Sequence, residues 1–118
     1  MGKPLFGDQP VVNETAAQGL VMLREYELGF NVVVDVVWEM RQDFLITREQ
    51  YRRFDVLAQR AVLALQAARD AILLFLEARS KGLEGQPFRS TLAIALDAVT
   101  AAKTVGAEYR GLQLKEPE

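Results

Sequence analysis

From Tyr51 onward, apolar residues recur in alternating steps of three and four: Tyr51, Phe54, Ala58, Ala61, Leu65, Ala68, Ile72 and Phe75. At about 100° per residue they share one stripe of an α-helix, whereas a half-buried strand would alternate at every second position. A second stripe keeps the same rhythm through Phe88, Leu92, Ala95, Val99, Ala102, Gly106 and Tyr109. Its small members, Ala95, Ala102 and Gly106, let a neighbouring helix approach closely. A third runs through Gly19, Met22, Tyr26, Phe30, Val33, Val37, Met40 and Phe44.

The third stripe crosses NVVVDVVWEM, residues 31–40, whose valines favour a strand. The polar positions decide the matter. Arg24, Asn31, Asp35 and Gln42 step by seven, four and seven, which confines them to a narrow strip of a helix away from the seam. The segment is therefore helical. Its valines lower helix propensity by a few tenths of a kcal/mol each and Gly29 by about 1 more, so tertiary contacts must hold it.

Punctuation divides the chain into three such helices. Thr47-Arg48-Glu49-Gln50 matches a capping box, with Thr47 as N-cap and Gln50 reaching back. SKGLEGQP, residues 80–87, groups Gly82, Gly85 and Pro87 as a stop, loop and restart. Residues 1–12, with Gly2, Pro4, Gly7 and Pro10, read as an extended N-terminal arm. The predicted helices cover about 13–45, 48–80 and 88–110, within a helical-bundle domain over 13–110 and ahead of a C-terminal tail over 111–118. The expected fold is all-α: an elongated antiparallel bundle of three long helices, up-down-up.

Two of these helices carry more apolar surface than such a bundle uses. Leu28, Val32 and Trp38 lie off the seam of Gly19 to Phe44, and Val56, Leu63, Ala67 and Leu74 step by seven, four and seven opposite the seam of Tyr51 to Phe75. The N-terminal arm could cover them with Leu5 and Phe6, but outward apolar rows more often mark partner surfaces. Self-association is therefore expected, with Leu28, Val32, Trp38, Val56, Leu63 and Leu74 as the candidate interface.

Composition narrows the function mainly by exclusion. The formal charge of −2 argues against indiscriminate binding to nucleic acid or anionic membrane. The longest apolar run, Ala71 to Leu76, falls far short of the roughly 20 residues of a membrane span. The opening residues lack a signal-peptide layout, and Phe6 breaks the myristoylation pattern, so a soluble cytoplasmic protein is expected. There is no cysteine and no histidine. That removes the usual nucleophile–base pairs and the Glu-x-x-His ligands of carboxylate-bridged bundles. Ser80 and Ser90 sit where serine terminates or caps a helix.

Asp35 and Glu39, four apart, form the one attractive carboxylate pair, and a solvated helix face explains that spacing. Asp70 and Asp97 could join them around Mg²⁺, but nothing in the sequence requires it. Neither common glycine-rich phosphate loop is present. No catalytic residue, metal or cofactor is expected.

Charge is unevenly distributed. Residues 1–40 carry Lys3 and Arg24 against Asp8, Glu14, Glu25, Glu27, Asp35 and Glu39, a local net of −4. Residues 41–60 carry Arg41, Arg48, Arg52, Arg53 and Arg60 against Asp43, Glu49 and Asp55, a local net of +2. Arg48, Arg52, Arg53 and Arg60 open the second helix, where cations oppose the macrodipole. They could contact phosphates beside Tyr51, although Glu49 and Asp55 are interleaved and an ordinary charged face, or pairing with the acidic first helix of a neighbouring subunit, is favoured. The expected function is a non-enzymatic structural or adaptor subunit acting through self-association and protein contacts. The alternative is a nucleic-acid-binding accessory protein using the four arginines.

Overall fold

The three stripes become three helices. The computed structural model describes the backbone of residues 3–115 and the side chains of residues 15–111. Helix α1 spans Lys3–Gln42, α2 Arg48–Ser80 and α3 Arg89–Lys115, with no strand among the described residues. Each helix packs on both others, and the rod they form measures 69 × 23 × 18 Å. Among the described residues, no helix is long and apolar enough to cross a membrane.

The seams of α2 and α3 build the core as their spacing requires. Phe54, Ala58, Ala61, Leu65, Ala68 and Ile72 are buried, as are Phe88, Leu92, Ala95, Val99, Ala102 and Tyr109. On α1 the buried line includes Phe30, Val37 and Met40, and it adds Ala16 and Leu23, which lie outside the predicted seam. Met22 is instead largely exposed. Two glycines mark the closest approaches. A Cβ on Gly19 would lie 2.9 Å from the Phe88 ring, and one on Gly106 would lie 2.6 Å from a Val33 methyl. Near the other end of α3, the Tyr109 hydroxyl donates to the Gln50 carbonyl at 2.8 Å.

The Thr47 capping box forms as predicted. The Gln50 N–H donates to Thr47 Oγ1 at 3.0 Å and the Thr47 N–H to Gln50 Oε1 at 2.8 Å. Three boundaries differ from expectation. The backbone is helical from Lys3, so the extended arm over residues 1–12 is corrected to helix from Lys3 on. Pro4 falls in the first turn, where its missing N–H is not needed. The cover suggested for Leu5 and Phe6 lies outside the described side chains. At the far end, α3 continues to Lys115, so the tail predicted over 111–118 is helical through that residue.

Helix α1 stops at Gln42, short of residue 45, because the chain turns through Phe44 at φ 60°. Phe44, expected in the apolar seam, is 85% exposed. The turn satisfies the helix end. The Leu45 N–H donates to the Met40 carbonyl (2.8 Å) and the Phe44 N–H to that of Arg41 (3.1 Å), the paired bonds of a Schellman motif. Ile46 then turns inward and is buried.

Candidate functional site

The six candidate interface residues are all exposed: Leu28, Val32, Trp38, Val56, Leu63 and Leu74. They do not form one uniform surface. Leu63, 66% exposed, lines a cleft of about 510 Å³ between α1 and α2 together with Phe30, Val34, Ala58 and Val62. Asn31, Asp55 and Gln59 edge that cleft, with Gln59 Nε2 donating to Asp55 Oδ2 at 2.9 Å. Leu28 and Val32 stand out from α1, each more than half exposed. Trp38 is different, since its ring lies 5.9 Å from that of Tyr51 on α2, at an interplanar angle of 59°. Its own chain therefore supplies part of its cover.

The four arginines divide in the same way. Arg53 reaches Glu108 of α3 at 3.8 Å, an exposed pair worth at most about 1 kcal/mol. Among the described residues, the ion pairs across helices engage Arg53 and Arg69, the latter with Glu27 of α1, and leave Arg48, Arg52 and Arg60 out. Asp35 and Glu39 stay exposed on α1, and no group of three acidic side chains converges among the described residues.

The α1–α2 turn holds features that apolar spacing does not reveal. Trp38, Arg41, Gln42, Phe44 and Tyr51 line a crevice of about 300 Å³. Arg41 is half-buried there, one guanidinium nitrogen lying 3.5 Å from the Ile46 carbonyl. Phe44 costs the fold twice. The left-handed backbone is disfavoured by about 1–2 kcal/mol for a residue with a Cβ, and the phenyl ring is left in water. The signal available in the sequence was the capping box at Thr47, which requires a turn immediately before it.

Compared with protein-family models, curated proteins and solved structures, the chain matches none.

Proposed function

We propose that this chain is a non-enzymatic structural or adaptor subunit, an up-down-up helical bundle completed by self-association. The up-down-up course is supported by contacts at opposite ends of the rod. Gly19 of α1 lies against Ile72 late in α2 and Phe88 just before α3, whereas Gly106 late in α3 lies against Val33 of α1 and Phe54 early in α2.

The observation that carries self-association is surplus apolar surface. Among the described side chains, fifteen large apolar residues are exposed, from Val21 on α1 to Leu96 on α3. A standard interface takes about 800 Å² of accessible surface from each partner. Leu28, Val32, Val56, Leu63 and Leu74 supply apolar side chains to such an interface. Charge complements it. Among the described side chains α1 has Glu25, Asp35 and Glu39 outside any ion pair against Arg24 and Arg41, while the start of α2 carries Arg48, Arg52 and Arg60 outside any ion pair against Glu49 and Asp55.

Sedimentation velocity at micromolar concentration tests the proposal. The wild type is expected to sediment as a dimer or larger, and Leu63→Glu combined with Leu74→Glu as a monomer with an unchanged far-ultraviolet spectrum. A wild-type monomer at about 100 µM, roughly the upper end of ordinary affinities, would overturn it.

A further inference from the structure

We infer that the crevice at the α1–α2 turn binds a nucleotide unit, a planar base carrying a phosphate. This inference does not rest on self-association. Its volume, about 300 Å³, is at the lower end of small-ligand sites, enough for one nucleoside and far too small for a duplex. Its walls join flat aromatic faces to polar groups. Trp38 and Tyr51 are tilted rather than stacked on each other, so ring surface stays open to the crevice, and Trp38 is 50% exposed. Arg41 and Gln42 supply donors at the same place. By contrast, the α1–α2 cleft of Leu63 and the α1–α3 cleft of Gly19, Met22 and Leu92 are mainly apolar. A base has the matching chemistry: a π-face for stacking and polar edges for hydrogen bonds.

Phe44 is the second, independent observation. The other helix end of the same geometry uses Gly82 at the equivalent position, φ 76°. Phe44 instead holds a phenyl ring in a conformation suited to glycine and leaves it 85% exposed on the rim of the crevice. Burial of Ile46 and the Thr47 cap hold the backbone of that turn, but neither needs a phenyl ring at position 44, and strain of this kind is characteristic of ligand clamps. A ring held there can close over a stacked base.

Charge limits the ligand. Arg41, Arg48 and Arg52 are offset by Glu39, Asp43 and Glu49 around the turn, so the site has cations for one or two phosphates, whether these stand alone or belong to a longer strand. The unit could come from a free nucleotide or from a single strand whose next phosphate reaches Arg48 or Arg52.

Trp38 is the chain's only tryptophan, so its fluorescence excited at 295 nm reports on this crevice alone. Adenosine and uridine monophosphates and single-stranded 12-mers, titrated at low salt, are expected to quench it saturably. Phe44→Gly should weaken binding at least ten-fold without lowering the melting temperature. Arg41→Met should weaken it and flatten its salt dependence. A 12-mer binding a hundred-fold more tightly than either mononucleotide identifies a single strand, and equal affinities identify the free nucleotide. Absence of saturable quenching by any probe at millimolar concentration overturns the inference, as does quenching unchanged in Phe44→Gly. A change in sedimentation with Phe44→Gly but no nucleotide binding overturns it in favour of a protein contact.

Discussion

Helices α1 and α2 end in the same way and are occupied differently. At the end of α2, the Leu83 N–H donates to the Ala78 carbonyl (2.8 Å) and the Gly82 N–H to that of Arg79 (3.1 Å), repeating the bonds that Leu45 and Phe44 make at the end of α1. Gly82 takes the left-handed conformation at no steric cost, and a Cβ placed there would meet nothing within 4 Å. Phe44 takes it at a cost. The residues just beyond each turn explain how the costly version persists. Ile46 is buried at the end of α1, while its counterpart Glu84 is exposed. The next residue, Thr47, begins α2 with both capping bonds made. One turn is shaped by its own backbone, and the other is held in place by its downstream neighbours.

Ile46→Ala tests the anchor and should have the largest effect. Truncating a buried isoleucine costs about 2–5 kcal/mol, against within about 0.5 kcal/mol for the exposed Glu84→Ala, both read from urea midpoints. Equal losses would remove the distinction between the two ends. Thr47→Ala, which deletes the N-cap acceptor, should cost about 0.5–2 kcal/mol by the same measurement.

Gly82→Ala isolates the backbone term, because there is open space for the new methyl. It should cost about 1 kcal/mol, seen as a lower thermal midpoint. Phe44→Gly is the converse and the smallest change. It should stabilise the chain by up to about 1 kcal/mol, since relief of the left-handed backbone outweighs the added unfolded-state freedom of glycine. A clear loss of stability in Phe44→Gly would mean that the phenyl ring supports the fold, and Phe44 would no longer count as sacrificed stability.

The same contrast explains which helix ends are legible from the residues alone. The end of α2 was legible because Gly82, Gly85 and Pro87 announce a stop through local chemistry. The end of α1 was legible only to within three residues, from the cap at Thr47, because Phe44 continues the three-four rhythm of Val37 and Met40 and an apolar residue in rhythm looks like more helix. The candidate surfaces divide along similar lines. The outward rows through Leu28, Val32, Val56, Leu63 and Leu74 were legible, since a residue opposite a seam is exposed in any bundle that buries the seam. The partnership of Trp38 with Tyr51 was not, since it depends on which flank of α1 faces α2.

The sequence by itself determined the helical period, the seams of α2 and α3, the cap at Thr47 and the stop at Gly82. Each arises from spacing or backbone preference over a few neighbouring residues. Only the tertiary structure decided the rotation of α1 that buries Leu23 and exposes Met22, the meeting of Trp38 and Tyr51, and the turn that leaves Phe44 in water. These depend on three helices packing at once and on burying Ile46 beyond the turn. A preference of about 1–2 kcal/mol for glycine at one position is too small to prevail against that burial.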